Sequence, residues 1–316
     1  MEYHHEFYST YPRECAISYP IQHPLYRKRY MENINISLYQ DWINILRNRL
    51  SDFGYSISDH SDENISRIYL NLEKRLIPQK ARRILKHDNF YCPDEMTSGL
   101  KGVEEAITSG QNLLPYLSKR IKKPNYNDAL LNHWGIHHLH LGKTIGRDGF
   151  VEHGNPLLFC RFDDENAYFI NVLTHGAWAE QDMIRVLHKN WPDSIKQFRI
   201  NGLIRLTQPI TDSDVNTFRQ KKINTFVEVE DGAIYGAIGG GFASSGISID
   251  VVRQADQYEA WLNQNQAHII NNIENIRNEA RKKNIELPST PHFELKIENN
   301  TEYAVESVSK ICIKLH

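Results

Sequence analysis

The stretch His133-Trp134-Gly135-Ile136-His137-His138-Leu139-His140-Leu141-Gly142-Lys143 decides how the middle of this chain is read. It holds four of the fifteen histidines within eight residues. Residues 136–141 alternate as a strand does, so neighbouring side chains point to opposite faces. Ile136, His138 and His140 share one face, and His137, Leu139 and Leu141 the other. With the leucines turned to the core, His138 and His140 stand side by side. Histidine titrates nearest neutrality, so such a pair suits proton transfer, anion binding or metal ligation.

Working outward, 156–162 and 167–174 read as two further strands joined by the polar turn Asp163-Asp164-Glu165-Asn166. A helix over 180–191 follows, with Met183, Ile184, Leu187 and Trp191 on its apolar side and Pro192 ending it. His175 sits at the end of the third strand, and Lys143 and Arg147 just beyond the first. In an antiparallel sheet those segments converge on one end.

Upstream, Ser37 caps a helix to about 50, a second helix spans 65–76, and a third begins near Leu100. The third carries Val103, Ile107, Leu114 and Leu117 on its buried face and ends in the basic run Lys119–Lys122 with Lys123. An earlier basic run extends from Lys74 to His87. Downstream, Asp212 or Ser213 caps a short helix to about 222, and a hairpin turns at Asp231-Gly232. A long polar helix is expected over 255–283, then a hairpin over 293–298 and 305–315 turning at Asn299-Asn300. The fold class is α+β: a helical N-terminal part over 1–130, a small antiparallel sheet with a following helix over 131–195, and a mixed α/β extension over 196–316.

Composition bounds the function. The chain has 316 residues, 40% hydrophobic and 24% charged, with a net charge of −2. That is a globular composition with a sizeable core, not a protein that coats nucleic acid, although a local basic groove remains open. The four cysteines are scattered, without zinc-finger spacing. Nothing near the start resembles a signal peptide, and no apolar run nears the roughly 20 residues that span a bilayer. A cytoplasmic protein without membrane contact is expected.

Three readings of the histidines compete. In the first, His138, His140 and His175 with Lys143 and Arg147 cleave a phosphodiester without a metal, histidines acting as base and acid and cations holding the phosphate. In the second, His138, His140 and His175 bind zinc, with Glu152 or a water completing a hydrolase site, although no HExxH-like spacing is present. In the third, they are hydrogen-bonded residues of a packed sheet in a non-catalytic subunit of a larger assembly. Residues 239–246, Gly-Gly-Gly-Phe-Ala-Ser-Ser-Gly, are either an anion cradle or a wide turn; nucleotide-loop spacing is absent. The N-terminal aromatics from Tyr3 to Tyr30, interleaved with Arg13, Arg27, Lys28 and Arg29, read as an arm over the core or as a base-stacking surface.

The order of helices, His-rich strand, Leu157-Leu158-Phe159-Cys160-Arg161-Phe162, Ala167-Tyr168-Phe169-Ile170-Asn171-Val172 and then His175 resembles the sheet of RelE/ParE-type toxins over about residues 100–195. The resemblance implies a metal-independent endoribonuclease of toxin or antiphage-defence type, partnered by RNA and by an antitoxin or defence-complex subunit. Arg161 would be the basic residue of the central strand, contacting phosphate, and His175 a late catalytic residue. The chain departs from that family in being large and near neutral, and in continuing into the helix at 180–191.

Overall fold

The computed structural model describes residues 34–316, apart from His153 and Ile204. The N-terminal aromatic arm therefore lies outside the described residues. Contacts divide the described residues into two units, 34–49 with 256–316, and 50–255. These cut across the three stretches read from sequence, because local hydrophobic patterning is silent about which distant segments pair.

In chain order, β1 (Asn35–Ile36) leads into α1 (Leu38–Asp52), where Leu38, Trp42 and Leu46 recur at helical spacing and are buried. α2 (Asp62–Arg75) has Ser61 at its N-cap position, acids in its first turn and bases in its last, which suits the helix dipole. β2 (Arg83–Lys86) was not expected from sequence. It is four residues within a basic run, with no alternation to betray it.

α3 (Thr97–Thr108) is shorter than the periodicity of Val103, Ile107, Leu114 and Leu117 predicts. The hydroxyls of Thr108 and Ser109 bond back to the carbonyls of Glu104 and Glu105, and two 3-10 turns follow, Leu114–Tyr116 around Pro115 and Lys119–Lys122. The second basic run is thus a separate turn. α4 (Ala129–Trp134) was not expected from sequence; β3 (His137–His140), β4 (Leu157–Phe162), β5 (Asn166–Leu173) and α5 (Asp182–Asn190) follow close to expectation.

α6 (Asp212–Gln220) is capped by Thr211 in a reciprocal capping box with Asp214, not by Asp212 or Ser213. The Asp231-Gly232 hairpin joins β6 (Val227–Glu228) to β7 (Ile234–Tyr235). The long polar helix starts earlier than expected, as α7 (Ile249–Asn271). It breaks at Asn272, whose side-chain amide bonds the carbonyl of His268, before α8 (Ile273–Lys282). The C-terminal hairpin has three strands, β8 (His292–Glu298), β9 (Thr301–Glu306) and β10 (Cys312–Lys314), with Asn299 and Asn300 in the left-handed region at the turn.

In the first unit the sheet order is β1-β8-β9-β10, with β1 parallel to β8 and the other pairs antiparallel. Trp42 packs on Tyr258 at 4.5 Å, and Asp41 accepts a hydrogen bond from the Leu295 amide at 2.9 Å. The second unit holds the sheet β2-β5-β4-β3. It is mixed rather than antiparallel, since β2 runs parallel to β5. β3 is an edge strand, paired antiparallel with β4 alone. Trp134, Ile136, Phe159, Ile170, Met183, Ile184, Leu187 and Tyr235 belong to the buried cluster between this sheet and its helices. The protein is α+β.

Candidate functional site

α4 aims the histidine strand. Asp128 caps it, one carboxylate oxygen (Oδ1) accepting the amides of Leu130 at 3.1 Å and Leu131 at 3.0 Å. Gly135 ends it at φ 65°, a left-handed turn that glycine adopts without steric cost, and the chain enters β3. His138 then lies opposite Phe159 and His140 opposite Leu157, while Leu139 is fully buried on the other face. The expected alternation holds. The histidine face, however, is also covered: His140 is 5% exposed. What covers it leaves a cavity of about 440 Å³.

His138, His140 and His175 all line this cavity. His175 arrives from the end of β5, its amide donating to Asn155 Oδ1 at 2.5 Å. The ring of Trp178 stands edge-on to both, 4.8 Å from His175 and 4.9 Å from His138, with His140 6.3 Å from His138. Arg120, Arg219 and Lys222 add cations to the lining beside the carboxylate of Asp128; Lys119 also lines it, its ammonium paired with Asp148 at 2.6 Å. Low-dielectric walls lined by one sign of charge attract anions.

Asp128 is both cap and neighbour of a histidine. Its Oδ2 lies 3.7 Å from His138 Nδ1, too long for a hydrogen bond but close enough to orient the ring electrostatically. Nε2 is then the nitrogen available to a molecule in the cavity. Burial pushes the His138 pKa down; Asp128 opposes this, while His175 and Arg120 add to it. The balance disfavours the charged form of His138. His137, on the other face, is pushed down to about 4 by burial.

Arg219 on α6 is 4% exposed. Its guanidinium lies 4.2 Å over the Trp134 ring, donates to the Trp178 carbonyl, and donates through Nε and Nη2 to His133 Nδ1 at 3.3 and 3.1 Å. An arginine only donates, so Nδ1 of His133 must be unprotonated. Its Nε2 lies 3.3 Å from both the backbone amide nitrogen and Oγ1 of Thr225. Burial and the neighbouring Arg219 push the His133 pKa down to about 3.

The cations expected to hold phosphate stand elsewhere. Lys143 and Arg147 are exposed on the loop after β3 and do not line the cavity. Arg161 is half-buried, bonded to the carbonyls of Gly135 at 3.4 Å and Ser194 at 3.5 Å, with Phe198 beneath it. It supports the turn into β3 and does not line the cavity. Glu152 accepts from Thr144 Oγ1, and His153 lies outside the described residues. Sequence reasoning missed Asp128, Trp178, Arg219 and Lys222. Of these only Asp128 carried a readable signal, as a cap before the apolar run of α4.

The glycine-rich stretch is structural. The amides of Gly239 and Gly241 donate to the carbonyls of His133 and Asn132, those of Gly240, Ala243 and Gly246 to carbonyls of their own segment, and that of Phe242 to Asn224 Oδ1. None remains for an anion at those positions. Lys74 completes the arrangement, its half-buried ammonium donating to Gly239 O at 2.7 Å, Ser248 Oγ at 2.7 Å and Asp250 Oδ2 at 3.2 Å. The first basic run thus begins with a strut rather than a solvated face.

Among the described residues no group of three or more His, Cys, Asp or Glu side chains is positioned to hold a metal ion. No helix among them is long and apolar enough to cross a membrane. No protein-family model, curated protein or solved structure matches the chain.

Proposed function

We propose that this chain is a metal-independent endoribonuclease that cleaves RNA in the cavity beside β3. The observation that carries this reading is the gathering of His138, His140 and His175 with Arg120, Arg219 and Lys222 around one carboxylate. RNA supplies its own nucleophile, so imidazoles and cations suffice for the chemistry. His138 Nε2 takes the 2′-hydroxyl proton, and the 2′-oxygen attacks phosphorus. The bond from phosphorus to the 5′-oxygen breaks, and the departing oxygen takes a proton from His175. Arg219, Arg120 and Lys222 hold the charge that grows on the phosphoryl oxygens, and His140 hydrogen-bonds beside them.

The likeness to RelE/ParE-type toxins supports a toxin or antiphage-defence role in the cytoplasm, with an antitoxin or defence-complex subunit as partner. Full-length protein incubated with mixed-sequence RNA in EDTA should produce fragments. The double variant His138→Ala, His140→Ala should not, while retaining the same unfolding transition. A folded wild-type sample that cleaves no RNA overturns the reading. Activity restored only by added zinc favours the hydrolase alternative instead.

A further inference from the structure

We infer that Arg219 forms the floor of a phosphoryl-binding subsite, poised for an anion by a neutral histidine behind it. The inference rests on the cavity being the site proposed above, but not on RNA being cleaved there. The guanidinium is almost wholly buried and lines the cavity, yet no carboxylate among the described residues pairs with it. Asp128 acts on it only from a distance. A buried cation without a counter-ion is costly, and proteins normally place Asp or Glu against one.

Here the partner that orients the fork is His133, fully buried and held neutral. A carboxylate at that position would fix the same geometry and cancel the charge. The imidazole fixes the geometry and leaves the charge in place. The Trp134 face and the Trp178 carbonyl hold the fork without neutralising it either. These contacts occupy three of the five N–H donors that a guanidinium carries, leaving two for a ligand. Two N–H groups on a rigid cation match two oxygens of one phosphoryl group. Lys222, on the cavity wall beyond α6, supplies a second charge.

Calorimetric titration of the full chain with inorganic phosphate, and separately with a nucleoside 3′-monophosphate, tests this. The wild type should bind both at one site, and Arg219→Gln should weaken both at least tenfold. Arg219→Lys should fall between, having the charge without the fork. Tighter binding of the nucleotide identifies a phosphate ester as the ligand; equal binding identifies free phosphate. Either upholds the subsite. Should Arg219→Gln fail to fold, Asn216→Glu decides. That residue is exposed, lines the cavity and sits one turn before Arg219, so a carboxylate there should cost about tenfold in phosphate affinity.

No saturable binding by the wild type overturns the inference, as does unchanged binding by a folded Arg219→Gln or by Asn216→Glu. Phosphate binding without RNA cleavage leaves the subsite standing and removes the nuclease. RNA cleavage together with unchanged phosphate binding by Arg219→Gln does the reverse.

Discussion

The His-rich strand and the glycine-rich stretch 239–246 are the two most unusual passages of this chain, and they lie against opposite ends of the same short link. The glycine segment bonds the carbonyls of Asn132 and His133 at the end of α4, and the histidine strand leaves from Gly135 two residues later. In the glycine segment the amides of Gly239, Gly240, Gly241, Phe242, Ala243 and Gly246 are committed to carbonyls or Asn224, and its first glycine is pinned by Lys74. In the strand, His138 Nδ1 has only a carboxylate at 3.7 Å and no hydrogen-bond partner. One region fixes geometry, and the other keeps chemistry in reserve. Unusual composition marks both equally; only the fate of the polar groups separates them.

Substitutions should therefore split by phenotype. The largest effect falls on His138→Ala and His175→Ala, each expected to lower RNA cleavage by roughly a hundredfold to ten-thousandfold in single-turnover assays, with little change in the unfolding midpoint. Next comes Gly239→Ala, whose new Cβ would sit 2.0 Å from the Leu131 carbonyl oxygen and 2.6 Å from the Gly135 amide nitrogen, both backbone atoms. A stability loss of about 3 kcal/mol in urea titration is expected, with activity falling only as the folded fraction falls. A stable but inactive Gly239→Ala would erase the contrast between the two regions.

Acidification probes His133, which joins them. Its pKa is about 3 when folded and near the ordinary histidine value of 6.5 when unfolded. Above about pH 6.5 neither state holds the proton and stability is flat with respect to this ring. As pH falls from 6.5 toward 3 the unfolded chain takes up a proton that the folded chain refuses, and stability drops by at most about 1.4 kcal/mol per pH unit. His137 contributes in the same direction down to about pH 4. Urea midpoints that stay level from pH 7.5 to pH 5 would contradict the buried, neutral state of both rings. The smallest effects belong to Lys143→Gln and Arg147→Gln. Both residues are exposed and outside the cavity, so stability should change by no more than about 0.5 kcal/mol and turnover of a dinucleotide substrate hardly at all.

Much of the site was legible because it is local. Alternation along 136–141 separated His138 and His140 from Leu139, and turn chemistry at Asp163–Asn166 folded β5 back so that His175 reached the same end. The cavity cations from beyond the sheet were not legible for the opposite reason. Lys143 and Arg147 are close in sequence but face solvent, whereas Arg219 on α6 and Lys222 just beyond it follow the strand by some eighty residues, and only tertiary packing brings them to it. β2 escaped notice because a four-residue parallel strand in a basic run has no periodicity to detect. Arg161 was misjudged because an arginine on a strand looks the same in sequence whether it meets phosphate or the carbonyls of Gly135 and Ser194.

The central claim is that the cavity histidines cleave RNA through its own 2′-hydroxyl, and the ends of the fragments test it most directly. Wild-type protein in EDTA should yield 5′-hydroxyl and 2′,3′-cyclic phosphate ends from RNA, and should spare the same sequence carrying a 2′-deoxy sugar at the scission site. Fragments with 5′-phosphate and 3′-hydroxyl ends, cleavage at the deoxy position, or no cleavage by a folded sample would contradict it.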